Sequence, residues 1–234
     1  MVINEYLLVQ TCSVYFCLPS RMDLINFTIP HPATATICGS TGSGKTHLTL
    51  ELIRRRREIF SEPLEKVVYI CCDFQPAFYK LQAVDSDVRF TQNIKELETL
   101  TGPCLVIVDD FQDSLAKGEL NELITKVYLK YSHHRNYSIV TLLQNPFSPG
   151  LRNVNINTQI LILTDCPRDR SIIINISRQI TPGRTQLLTQ AYNAAVSNRE
   201  FGYLVIDMSP RNKKFKYWLR SHLFPCGECQ VYTE

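Results

Sequence analysis

The feature that most constrains this chain is Gly39-Ser40-Thr41-Gly42-Ser43-Gly44-Lys45-Thr46, which matches G-x-x-x-x-G-K-[ST] at every fixed position. Residues 33–38 before it form a short apolar and β-branched run, as a buried strand should, and an amphipathic pattern follows it. Strand, glycine loop and helix, in that order, are the context in which this motif holds phosphate. Glycines let the backbone curl close to phosphate oxygens with its N–H groups inward, and the helix N-terminus adds its positive dipole end. Lys45 would reach the β- and γ-phosphates of a nucleotide and the Thr46 hydroxyl would ligate Mg²⁺, with Gly39 through His47 as the binding stretch.

A chain of 234 residues fits one α/β domain with a well-buried core, with at most small appendages. Its formal charge of +3 permits an anionic partner without demanding one. The nine cysteines are scattered, and several fall inside apolar strand-like runs, where a free cysteine acts as a small hydrophobe. The odd count, beside a nucleotide site, favours a reducing compartment over a disulfide framework. Residues 6–18 are apolar, yet Glu5 rather than a cation precedes them and Gln10 and Ser13 interrupt them. They read as an added strand or arm rather than a signal peptide or membrane span. The expected organisation is an arm at 1–29, a motor domain at 30–224 and a tail at 225–234.

The first core strand is expected at 33–38 and a helix over about 45–60, whose end carries Arg54-Arg55-Arg56-Arg57. That run is either a solvated last turn complementing the helix dipole or a DNA-facing surface. A second strand, Lys66 to Cys72, is followed by a brief one at Val88–Phe90 and a short helix at 93–100. Then Cys104-Leu105-Val106-Ile107-Val108 runs into Asp109-Asp110, about sixty residues after the glycine loop. Two carboxylates at a strand's carboxyl end are the second half of a phosphate site. Asp109 would hold the Mg²⁺ shell and Asp110 would orient or deprotonate the attacking water.

A helix over 118–133 leads through Ser132-His133-His134-Arg135-Asn136 into a strand, Tyr137 to Leu143, that ends at Gln144-Asn145-Pro146. The Gln144 amide either senses the γ-phosphate and its water or caps the turn. Residues 145–158 read as a loop. After it come a strand at Gln159–Thr164, helices near 168–180 and 184–197, a strand at Phe201–Met208 and an edge strand at Lys214–Leu219. His222, Cys226 and Cys229 have zinc-like spacing but lack an evident fourth ligand.

Several segments combine: His31-Pro32, Gly39–Thr46, Tyr69 through Gln75-Pro76, Asp109-Asp110, the His133-His134-Arg135-Asn136 run, Gln144-Asn145, Pro167-Arg168-Asp169 and Phe201 through Asp207. In this combination the chain resembles the viral genome-packaging ATPases of the FtsK–HerA group of P-loop motors. The likeness is to the poxvirus-type packaging ATPases of Polinton-like and adintovirus-like elements, over about residues 30–224. It implies an α/β three-layer sandwich of the P-loop NTPase kind, with a mainly parallel central sheet and an antiparallel C-terminal edge. It also implies ATP and Mg²⁺ as cofactors, and a homo-oligomeric ring that hydrolyses ATP to drive double-stranded DNA into a capsid. The expected partners are DNA and a capsid protein or packaging vertex, with no membrane, in a virus factory, the host nucleus or cytoplasm, or the virion. By the same resemblance Gln144 is the sensor and Arg135 a finger reaching a neighbouring subunit's site; the other reading of Arg135 is local pairing with a carboxylate or a helix end. Cellular members usually carry Asp-Glu where this chain has Asp109-Asp110, which shortens the reach of the second carboxylate.

Lys117 and Arg152, in the loops after the two catalytic strands, are the candidate DNA contacts. Two other readings compete: a viral replication helicase, and a nucleotide-dependent assembly or switch protein that does not move DNA.

Overall fold

Strands form where the chain is apolar and β-branched, and the best such runs here bury both faces. The computed structural model describes residues 13–16, 28–111, 117–210, 218–223 and 229–233. In chain order the strands are β1 (Ser13–Phe16), β2 (Thr34–Cys38), β3 (Lys66–Cys71), β4 (Val88–Thr91), β5 (Cys104–Asp109), β6 (Tyr137–Leu143), β7 (Ile160–Thr164), β8 (Tyr203–Asp207), β9 (Leu219–Arg220) and β10 (Gln230–Thr233). The helices are α1 (Lys45–Arg54), α2 (Arg56–Ile59), α3 (Pro76–Val84), α4 (Gly118–Lys126), α5 (Arg152–Ile156), α6 (Ser171–Ile180) and α7 (Thr185–Ser197). A 3₁₀ turn at Ile94–Glu98, a π turn at Val127–Tyr131 and a short helical turn at Ser132–His134 are the remaining regular structure among the described residues.

The strands form one ten-stranded sheet in the order β1-β10-β9-β8-β7-β2-β6-β5-β3-β4. From β7 to β4 the pairings are parallel, and from β7 outward to β1 they are antiparallel. Alternation along the central strands sends side chains to opposite faces, where the buried apolar residues gather in three clusters. In β5, Leu105 and Ile107 join the cluster under α1, α2 and α3, while Cys104, Val106 and Val108 join the one under α4. In β8, Tyr203 and Val205 face the first side, and Leu204 and Ile206 face α6 and α7. Helices therefore cover both faces, and the architecture is the expected three-layer α/β sandwich with a parallel centre and an antiparallel edge.

Several elements differ from the sequence reading. The helix expected over 45–60 breaks at Arg55, where φ −104° and ψ 13° separate α1 from α2. α3 was not anticipated; Pro76 stands in its first turn and Phe78 and Leu81 are its buried side. The segment at 145–158 is not all loop, because Arg152 opens α5. The expected edge strand at 214–219 lies mostly outside the described residues, and β9 begins at its end. β10 and β1, from the tail and the arm, pair antiparallel with each other at one edge of the sheet.

The four-arginine run is also resolved differently. Arg56 is neither solvated nor available to DNA: its side chain is 1% exposed. It donates to Asp85 Oδ2 at 2.5 Å, the Glu65 carbonyl at 2.8 Å and the Ile53 carbonyl at 3.0 Å. Arg57 pairs with Glu65 and Asp87, and Arg55 with Glu58. The guanidinium of Arg56 fastens the end of α1 to the segment preceding β4, and its pairing holds the Asp85 carboxyl below the usual carboxylate range.

Candidate nucleotide site at the strand ends

The glycine loop leaves the carboxyl end of β2 and returns as α1, with left-handed backbone at Gly42 and Gly44. It is tied down on both sides. Gly39 N–H donates to the Leu143 carbonyl of β6 at 3.1 Å, and Ser40 N–H to the Asp165 carbonyl beyond β7 at 3.2 Å. Ser43 Oγ lies 2.7 Å from the Ser40 carbonyl and 2.6 Å from Thr164 Oγ1. A Cβ on Gly39 would stand 1.8 Å from Thr164 Oγ1, so only glycine lets β7 approach this closely. α1 begins without a side-chain cap and without an acidic residue in its first turn, which leaves its leading N–H groups aimed along the loop.

Lys45 Nζ is held above the loop by the carbonyls of Gly39 at 2.8 Å and Ser40 at 2.9 Å. Burial lowers its pKa, and the charges of Asp109 and Asp110 act in the opposite direction. Thr46 follows in the first turn, half-buried, and His47 is exposed beside it.

The sheet order brings the acidic pair to this loop. β6 lies between β2 and β5, Leu143 pairs with Cys38, and Thr141 pairs with Val108. The ends of these three strands stand side by side, with Gln144 between the loop and the carboxylates. Asp109 is the last residue of β5, 6% exposed, and accepts a 2.7 Å hydrogen bond from Tyr69 Oη of β3. Burial raises its pKa, and the tyrosine hydrogen bond opposes the rise. Asp110 is exposed and left-handed at φ 62°, and its carbonyl accepts from Cys72 Sγ at 2.9 Å. The two carboxylates therefore occupy distinct environments, one desolvated and fixed, the other open to water.

Thr46 and Asp109 offer a hydroxyl and a carboxylate, the hard oxygen donors that Mg²⁺ takes alongside water and phosphate. A cation beside Asp109 would also offset the desolvation that raises its pKa. The donor set fits the ion.

Arg135 stands at the other end of β6, roughly 20 Å of strand away from Gln144. Its guanidinium lies 3.8 Å from the Tyr131 ring centroid and donates to the carbonyls of Leu97, at 3.3 Å, and Glu98. The fold does not bring it to its own chain's loop. Lys117 and Arg152 are exposed on the carboxyl-end side of the sheet, where the α4 segment and the β6–β7 segment are joined by Asn121 Nδ2 donating to the Gly150 carbonyl at 2.8 Å. Of the candidate zinc group, Cys226 lies outside the described residues. His222 is buried against Ser221 Oγ at 2.8 Å, with its pKa lowered to about 4 by burial, and Cys229 is buried. Among the described residues no group of three metal-ligating side chains gathers.

Sequence reasoning assigned no role to Tyr69, Thr164 or Phe201. Tyr69 pairs with Ile107, two residues before Asp109 on the same face of the adjoining strand, so a β3–β5 register would have found it. Thr164 and Phe201 reach the loop through long-range packing, for which no local signal exists.

A P-loop strand separated from its acidic strand by one intervening strand defines the chain as an α/β protein of the P-loop NTPase fold. No family model and no curated protein matches it. Among solved structures it is similar to the genome-packaging NTPase B204 of Sulfolobus turreted icosahedral virus 2 in complex with ATP-γS, at TM-score 0.52 and 12% identity over 75% of this chain and 92% of that one. It is likewise similar to B204, the DNA-packaging ATPase of Sulfolobus turreted icosahedral virus, at TM-score 0.51 and 13% identity over 76% and 93%. The type VII secretion ATPase EccC of Thermomonospora curvata matches at TM-score 0.50 and 13% identity, over 74% of this chain and 24% of that longer one. These likenesses agree with the resemblance read from the sequence, and at such identities they establish the fold. No helix among the described residues is long and apolar enough to cross a membrane.

Proposed function

We propose that the chain is an ATP-hydrolysing motor that drives double-stranded DNA into a preformed capsid. The observation that carries this reading is the sheet order and register that set the ends of β2, β6 and β5, with Lys45 in the loop after β2, Gln144 after β6 and Asp109-Asp110 at the end of β5, side by side. The loop and the N-terminus of α1 hold the phosphates, and Lys45 neutralises charge developing on the transferred phosphoryl group. Asp109, with Thr46, would hold Mg²⁺, which would supply charge neutralisation at the phosphates. The solvated carboxylate of Asp110 takes the proton of the attacking water, and the Gln144 amide orients that water. Arg135, at the far end of β6, would exchange its contacts with Tyr131, Leu97 and Glu98 for a neighbouring subunit's site in a ring, completing that site in trans.

The similarity to the two B204 structures, a genome-packaging NTPase and a DNA-packaging ATPase, supports DNA as the cargo. Lys117 and Arg152 are the proposed phosphate contacts on the carboxyl-end surface, read without base specificity and weakened by salt. The test is ATP turnover with and without linear duplex DNA. Stimulation by duplex, without strand separation, is the expected result. Strand separation would favour a helicase, and indifference to DNA would favour a switch or a motor for another cargo. For the finger, Arg135→Ala subunits are mixed with Lys45→Ala subunits. Partial recovery of activity is expected in mixed rings, and full activity of Arg135→Ala alone would remove the role.

A further inference from the structure

Phe201 carries features that folding alone does not require. The residue is 47% exposed, although it stands two residues before the fully buried strand β8. Its backbone is left-handed at φ 54°, an uncommon conformation for a bulky residue and one that needs support from its surroundings. That support is visible. A Cβ on Gly202 would meet the carbonyl oxygens of Ala195 and Val196 at 2.5 Å, so the turn is pressed directly onto the end of α7. Gly202 N–H also donates to the Arg199 carbonyl at 3.1 Å.

The ring so placed lies on the glycine loop. A Cβ on Gly44 would stand 2.8 Å from Phe201 Cβ and Cδ1, and the His47 ring lies 6.0 Å from the Phe201 ring, 26° from parallel. An exposed aromatic pair therefore borders the phosphate cradle at the start of α1. Its side of the sheet is informative. Along the order β8-β7-β2-β6-β5, the acidic pair lies two strands to one side of the loop strand and Phe201, leading into β8, lies two strands to the other. Terminal phosphates drawn towards Lys45 and Asp109 would leave the nucleoside directed to the β8 side.

We propose that Phe201 and His47 form the platform on which the nucleotide's base stacks, a subsite that rests on the nucleotide reading above. The 6.0 Å spacing is too close for a base to enter between the rings, so the base lies over the exposed face of the pair. Stacking on an aromatic face is tolerant of base identity and strongest for purines, so ATP and GTP should bind alike and more tightly than CTP or UTP.

The test compares the affinity of the full chain for ATP and for inorganic tripolyphosphate, which has the phosphates and no base. Phe201→Asn removes the ring with a residue that tolerates the left-handed backbone, and Phe201→Trp keeps an aromatic face. Expected are a loss of roughly tenfold or more in ATP affinity for Phe201→Asn, unchanged tripolyphosphate affinity and near-normal ATP binding for Phe201→Trp. His47→Ala should show a smaller loss with the same selectivity, and it serves if Phe201→Asn does not fold. ATP affinity within twofold of wild type in both ring-removing variants overturns the platform. Equal losses for ATP and tripolyphosphate overturn it too, since Phe201 would then only shape the loop. Lys45→Ala separates the two failures: it should weaken both ligands, and if it weakens neither, the nucleotide site itself falls and the platform with it.

Discussion

The two ends of the parallel sheet use charge in opposite ways. At the amino ends of the strands every feature of Arg56 is settled: it is buried, bidentate on Asp85 and bonded to two carbonyls. Arg135, near the start of β6, likewise rests on an aromatic ring and two carbonyls. At the carboxyl ends, Asp109 is desolvated with its pKa raised, Lys45 is desolvated with its pKa lowered, and Asp110 and Phe201 hold left-handed backbone. Pairing at one end lowers the folded protein's energy. Poise at the other end raises it, and the difference marks where a ligand is expected to supply what the protein lacks.

Breaking the settled end should have the largest effect. Arg56→Ala strands Asp85 and removes a buried charge network, which costs about 3–5 kcal/mol. Thermal denaturation should show Tm lowered by about 10 °C or more, with ATP affinity per folded molecule unchanged. The loss should shrink in acid. Asp85 has a folded pKa below its unfolded value of about 3.9, so its contribution is present above that pH and disappears as pH falls through the lowered value.

The poised end is tested next by Asp110→Asn, which should bind Mg·ATP but turn it over about a hundredfold more slowly. Asp109→Asn should instead weaken Mg²⁺-dependent binding, and identical behaviour of the two would mean that the base is misassigned. A smaller effect is expected from Tyr69→Phe, which removes a hydrogen bond to a carboxylate worth about 1.5–3 kcal/mol when charged. Because that bond opposes the upward shift of Asp109, its loss raises the pKa further. The acid limb of the activity profile should move to higher pH, and an unmoved limb would separate Asp109 from the activity.

The smallest effect sharpens the contrast most. Asp109→Asn relieves a desolvated charge, and the amide oxygen still accepts from Tyr69. Without nucleotide or metal, this variant should melt about 2–4 °C above wild type at neutral pH, corresponding to about 1 kcal/mol. The gain should fade as pH falls through the raised pKa, where the wild-type carboxyl is neutral as well. Loss of stability would show that Asp109 is a structural acid like Asp85.

The sequence made legible what is local. The glycine loop, the apolar run ending in Asp109-Asp110 and the Tyr137–Leu143 strand each carry their pattern within a few residues, and the structure bounds them closely. What escaped was fixed by distant partners. The burial of Arg56 depends on Asp85, 29 residues on, and the place of Phe201 depends on α7 and Gly44. α3 escaped for a different reason: nine residues with two buried positions give too short a period to read. The π turn at Val127–Tyr131 has no pattern of its own inside a helical run.

The claim that the carboxyl ends of the strands form an ATP site is tested most directly by steady-state ATP hydrolysis of Lys45→Ala beside wild type, each checked for folding by circular dichroism. The Lys45 ammonium donates to two loop carbonyls and is otherwise without a hydrogen bond among the described residues, so its removal should spare the fold. It deletes the cation aimed at the transferring phosphoryl group, and turnover should fall by about a hundredfold to a thousandfold. Near-wild-type turnover in a folded Lys45→Ala protein would contradict the account.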